Sequence, residues 1–205
     1  TFKTTAIGSI DETLPVAGDL TAPNLQSVTY YKGDKGDEIA DFSKNYQVGK
    51  LDIKSTSVFF YNPTTSQTGY QRAGSADVDS SMATSLSFKG GKVVNDDSVF
   101  YSSLNAITDL VSLTSETHYE GAVKGEEIAD FAINYSTKKL ANGDYTNSVA
   151  KTTSVYYYGN QLRADQTGVT SESAMTSSKT FKTTAIGSID ETLSTVADPT
   201  NPNIK

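Results

Sequence analysis

Apolar and polar side chains alternate along this chain with a period of two, the spacing of a strand with one buried face. Ala40, Phe42, Lys44, Tyr46 and Val48 fall on one side of such a strand. Further on, Ala129, Phe131, Ile133 and Tyr135 do the same, with Ile128, Asp130, Ala132 and Asn134 opposite. Turn residues bound these runs: Gly33-Asp34-Lys35-Gly36 before the first, Gly49-Lys50 after it and Asn142-Gly143 after the second. Ahead of the first turn, residues 28–32 form a short β-branched and aromatic strand. Residues 51–61 return as a longer strand, and its end, Val58-Phe59-Phe60-Tyr61, is apolar on both faces. Such an end needs a cover on its outer side, from a second layer or another subunit. Shorter strands are predicted over 70–73, 85–89 and 98–102. Leu104, Ile107, Leu110 and Val111 also fit one face of a helix, but the corresponding stretch 11–20 holds Pro15 and Gly18, which disfavours that reading.

The pattern repeats at two scales. Thr1 to Leu14 recurs letter for letter as Thr180 to Leu193, 179 residues on, and Asp19 and Pro23-Asn24 recur as Asp198 and Pro202-Asn203 at the same spacing. Half of that period repeats again. Lys35–Tyr46 reads KGDEIADFSKNY and Lys124–Tyr135 reads KGEEIADFAINY, 89 residues on. Around them, Thr29-Tyr30-Tyr31 matches Thr117-His118-Tyr119, and Ser57–Tyr61 matches Ser154–Tyr158. Arg72-Ala73 matches Arg163-Ala164, Met82 matches Met175, and Phe88-Lys89 matches Phe181-Lys182. The insertions between matches fall in turn-like stretches, which surface connections tolerate. The expected organisation is therefore a module tail at 1–26, a β module at 27–115 and a second at 116–205. A chain that starts and ends at one phase of a repeat favours a window of a longer periodic protein. Six or seven short strands in about 90 residues favour an all-β, immunoglobulin-like sandwich, with a β-solenoid or a spiralling β-ribbon as alternatives.

Composition narrows the function classes. The net charge is −7 and no basic cluster interrupts it, which argues against nucleic acid as a partner. No apolar run is long enough for a membrane-spanning helix, and the first residues lack a signal peptide's apolar core. Zero cysteines exclude disulfides, thiolate zinc sites and iron–sulfur clusters within these residues. No cofactor is expected.

Candidate chemistry is sparse. The single histidine, His118, has Tyr30 as its repeat counterpart, so an aromatic packed on a strand is the expected role. The acidic groups around Asp34, Asp77, Asp96 and Glu126 show no calcium-loop spacing and read as solvated turns. Lys44 lies on the apolar side of its strand and either snorkels outward or forms an amide cross-link with Asn or Asp; its counterpart Ile133 weakens the second option. Asn134-Tyr135-Ser136 is a glycosylation sequon with Asn134 facing away from Phe131. The tyrosine runs suit strand cores and contacts between modules. The expected assembly positions are Phe2, Ile7, Ile10 and Leu14, their repeat counterparts Phe181, Ile186, Ile189 and Leu193, and the strand-end aromatics Phe59, Tyr61, Tyr156 and Tyr158.

The phrases KGEEIADF (124–131), SVYYY (154–158) and the following Arg163-Ala164 resemble repeat units of very long, repetitive exported surface proteins of bacteria. There is also a looser similarity to RHS/YD repeats, though their YDxxGR-type core is missing here. The resemblance implies a structural, exported protein and supplies no catalytic residues. The expected function is an extracellular fibre or surface appendage built by stacking β modules, with other copies or neighbouring repeats as partners. It would form either as one continuous polypeptide or by strand addition between subunits. The alternative is an adhesin that holds glycan or protein; an enzyme is not expected.

Overall fold

The computed structural model describes residues 25–47, 50, 52–64, 67, 69–92, 101–103, 106–107, 110–182 and 186–189. These residues are all-β apart from one 3₁₀ turn at Ile186–Ser188. The strands are β1 (Ser27–Lys32), β2 (Ile39–Tyr46), β3 (Ile53–Tyr61), β4 (Gln71–Arg72), β5 (Met82–Lys89), β6 (Tyr101–Ser103), β7 (Ala106–Ile107), β8 (Leu113–Glu120), β9 (Ile128–Ser136), β10 (Val149–Tyr158) and β11 (Met175–Phe181). Nine of them form one antiparallel sheet in the order β1-β2-β3-β5-β8-β9-β10-β11, with β4 paired to the end of β3. Strands β6 and β7 form a separate ribbon between β5 and β8. The backbone at Ala106–Ile107 is therefore extended, within the stretch where a helix was the competing expectation.

The sequence favours a two-layer sandwich; nine of the eleven described strands instead lie side by side in one open sheet, whose outermost described strands are β1 and β11. The physical reason is connectivity. On the main path every described strand pairs antiparallel with the next one along it, so these eight strands stay in a single layer. The 115/116 boundary expected between modules falls within β8, and the sheet runs through it without a break.

Alternation gives the sheet two unlike faces. One cross-strand row runs Tyr30, Phe42, Val58, Leu86, Glu116, Ile133, Thr153, Phe181. This face carries the core: Val58, Phe60, Leu86, Phe88 and Leu113 pack together, with Phe42, Tyr70 and Tyr135 against them. A second cluster on this face joins Val155, Tyr157 and Phe181 to Phe131, Ile186 and Ile189. The opposite face carries a row of small polar residues: Thr29, Ser43, Ser57, Ser87, Ser115, Asn134, Thr152. At the end of β3 the polar face becomes apolar, and its cover comes from the chain itself. Tyr61 and Ile39 pack with Ala73, with Phe59, Ala76 and Met82 around them.

Candidate functional site: one internal seam and two open edges

Equivalent residues of the two sequence repeats make the same contacts. In the hairpin turn after β1, Gly33 has φ +111°, and its counterpart after β8, Gly121, has φ +140°. An added Cβ would lie 2.7 Å from the Asp37 carbonyl oxygen in the first and 2.9 Å from the Glu127 Cα in the second, so glycine is required twice. Both turns precede a bulge. Pairing of β1 with β2 skips Asp41 between Phe42 and Ala40, and pairing of β8 with β9 skips Asp130 between Phe131 and Ala129. A bulge re-aims a side chain, and each of these aspartates is buried against an arginine. Arg72 donates from Nε to Asp41 Oδ1 at 2.8 Å, with both side chains nearly inaccessible. Arg163 donates from Nε to Asp130 Oδ1 at 3.0 Å and from Nη2 to Oδ2. Beside each pair a tyrosine clips the bulge. The Tyr61 hydroxyl donates to the Ala40 carbonyl at 2.5 Å, and Tyr158 donates to that of Ala129 at 2.6 Å. Burial, helped by Asp41, drives the Tyr61 phenol well above its usual range, and burial raises Tyr158 as well.

These Asp–Arg clasps were legible in principle and missed. Asp41/Asp130 and Arg72/Arg163 both recur with the repeat, and a charge held on the inner stretch of two copies is a signal that it has a fixed partner.

Between the two repeats lies the seam β5·β8. Its register pairs Thr84 with His118, Ser85 with Thr117, Leu86 with Glu116, Ser87 with Ser115 and Phe88 with Leu113. Side chains reinforce it: Thr84 Oγ1 donates to the Thr117 carbonyl at 2.8 Å, and the Ser85 and Tyr119 hydroxyls meet at 3.1 Å. Glu127, in the β8–β9 turn, accepts from its own Gly125 N–H through Oε2 and from the Met82 N–H of β5 through Oε1 at 2.7 Å. Glu127 thus fastens the turn of one repeat onto the last main-sheet strand of the other.

His118 behaves as its tyrosine counterpart implies. It stacks on Phe131 with centroids 4.4 Å apart, as Tyr30 stacks on Phe42 at 4.4 Å. His118 Nε2 lies 2.9 Å from Glu116 Oε1, and Tyr135 donates to Glu116 Oε2 at 3.0 Å. This buried Glu116 carboxylate is met from both sides, by His118 and by Tyr135. Burial first, and Glu116 second, push the Tyr135 phenol well above its usual range. Nearby, burial and the charges of Asp130 and Asp165 raise the Glu120 carboxyl, against Arg163 and His118. No group of three or more acidic or histidine side chains suited to a metal ion is found among the described residues. An open groove of about 830 Å³ lies at the other end of the seam, bordered by Lys54, Lys89, Lys92 and Lys139 together with Asp52 and Asp144.

The expected assembly residues divide. Tyr61 and Tyr158 are buried inside the chain, while Phe59 and Tyr156 are partly buried on the polar-face side. Phe181, Ile186 and Ile189 come together in the second core cluster. Phe2, Ile7, Ile10, Leu14 and Leu193 lie outside the described residues. Asn134 sits on the polar face as expected, with its amide donating to Thr152 at 3.3 Å and Ser154 at 3.1 Å, bonds that a glycan on that nitrogen would disturb. Lys44 holds its ammonium 5.7 Å from the Tyr30 ring centre and 5.8 Å from that of Phe42, a cation–π placement.

The edges were not singled out by sequence. On β1, Tyr30 and Tyr31 are 40% and 59% exposed, and on β11 Met175 is 52% exposed. Natural sheets blunt exposed edges with charge or proline. Here β1 has one charge, at its terminal Lys32, and β11 has Lys179, whose ammonium lies 4.5 Å from the Tyr157 ring centre. No helix among the described residues is long and apolar enough to cross a membrane. No known family model, curated protein or solved structure matches the chain.

Proposed function

We propose that this chain is a structural repeat protein whose β modules add side by side into a fibre or surface appendage outside the cell, with no catalytic role. The units are the sequence repeats of about 90 residues, arranged as a β-ribbon that grows across its strands. What supports the reading most is the seam. The last main-sheet strand of one repeat and the first of the next join by ordinary antiparallel pairing, and the same clasps recur on either side of it. Growth then needs no new kind of contact, only repetition of one already made. A continuous polypeptide and strand addition between subunits both satisfy this geometry.

A second reading, an adhesive module for glycan or protein, draws on the exposed Tyr30 and Tyr31. Electron microscopy of the native material tests the first reading: long uniform filaments are expected, and dispersed globular particles contradict it. Reproducible sugar binding on a glycan array, without filaments, would favour the second.

A further inference from the structure

We infer that β1 of a second copy of this chain pairs with the open edge of β11 in the register of the internal β5·β8 seam. This rests on the array reading and names its contact. The correspondence is residue by residue. Strand β11 matches β5, since Met175 and Phe181 stand where Met82 and Phe88 stand, and both strands pair with the long strand before them in the same way. Thr56 faces Phe88 as Thr153 faces Phe181, and Tyr61 faces Met82 as Tyr158 faces Met175. Strand β1 matches β8, since Val28, Thr29, Tyr30 and Tyr31 stand where Glu116, Thr117, His118 and Tyr119 stand. The edge of β8 that pairs with β5 is therefore the counterpart of the edge of β1 that pairs with no described strand.

Transferred to the outer edges, the seam register sets Ser177 of one copy opposite Tyr30 of the next. Ser178 faces Thr29, Lys179 faces Val28, Thr180 faces Ser27 and Phe181 faces Leu25. Each pair keeps its faces, with Phe181, Lys179, Val28 and Tyr30 on the core side and Ser178 and Thr29 on the polar side. Tyr31, the most exposed aromatic residue described, falls where Tyr119 meets Ser85 and so reaches Ser178. The most specific element is Glu38. It already accepts from Gly36 N–H at 3.0 Å, as Glu127 does from Gly125 at 2.9 Å. Its second oxygen is then placed to accept from the Met175 N–H of the neighbouring copy, as Glu127 accepts from Met82. A match in backbone register, side-chain face and acidic clip together selects another copy of this chain over an arbitrary extended peptide.

Cross-linking tests this without background, because the chain has no cysteine. One preparation carries Thr29→Cys and the other Ser178→Cys, both on the polar face; mixed and mildly oxidised, they are expected to give a disulfide-linked dimer. A mixture of Ser27→Cys with Ser178→Cys, two residues out of register, is expected to give little. Glu38→Ala is expected to weaken self-association about tenfold while leaving the melting temperature of the monomer unchanged. Glu127→Ala, at the internal seam, should lower that melting temperature. Equal cross-linking of both cysteine mixtures, or of neither, overturns the register. Filaments that persist without the in-register cross-link overturn this inference and leave the array reading standing. A chain that stays monomeric at every concentration overturns this inference and leaves the array reading only in its continuous-polypeptide form.

Discussion

At the scale of single residues, the strand bulges turn two aspartates, Asp41 and Asp130, inward against arginines. Asp41 and Arg72 are each almost wholly removed from water, so removing one breaks a buried ion pair. Asp41→Ala is expected to cost about 3–5 kcal/mol of stability in urea denaturation, whereas Asp34→Ala, in the exposed turn, should change it by less than about 0.5 kcal/mol. Replacing both members, Asp41→Leu with Arg72→Met, should recover much of the loss, because the two charges then leave together. The buried phenols give a separate test in alkali. Tyr61 and Tyr135 have their pKa raised in the folded chain, mainly by burial. Below the ordinary tyrosine value near 10 both states hold the proton and stability is intact. Above it the unfolded chain releases protons that the fold retains, so stability falls as pH rises toward the folded values. Denaturant midpoints measured from pH 9 upward should decline, and Tyr61→Phe should flatten that decline.

At the scale of elements, the seam is the decisive contact, and Glu127 is its clip. Glu127→Ala removes the acceptor of the Met82 N–H, a charge-assisted bond of about 1.5–3 kcal/mol. Amide exchange at Met82 should speed up accordingly, while amides in the middle of β3 keep their protection; unchanged exchange at Met82 would show that the clip does not hold the seam. The individual strands were readable in advance because burial on one face writes a period of two directly into the residues. Ala40, Phe42, Lys44 and Tyr46 locate β2, and Ala129 to Tyr135 locate β9, close to their observed bounds. The sheet order was not readable in the same way. Alternation says that each strand has a buried side, but not what buries it. Val58 to Tyr61 demanded cover on both sides, and the outer cover proved to be the chain's own Ala73, Ala76 and Met82. Such small, scattered residues leave no periodic trace. The bulges were equally hidden, since one skipped residue at Asp41 or Asp130 barely disturbs the pattern. The repeat itself held the missing information, through the recurrence of Asp, Arg and Glu at matched positions.

At the scale of the whole molecule, a sheet growing across its strands has a dimension set by backbone spacing. Each repeat contributes four strands to the main path: β1, β2, β3 and β5 in the first, and β8, β9, β10 and β11 in the second. With neighbouring strands about 4.8 Å apart, one repeat advances the sheet by about 19 Å, and the full 179-residue period by about 38 Å. Twist shortens the projection on a fibre axis without changing the two-to-one relation. The most direct measurement is the axial repeat of assembled material, by electron cryo-microscopy or fibre diffraction. Strands perpendicular to the axis, a strand reflection at about 4.8 Å and a longer period of about 19 or 38 Å are expected. Strands parallel to the axis, or a period near the length of a whole globular domain stacked end to end, would contradict the array reading.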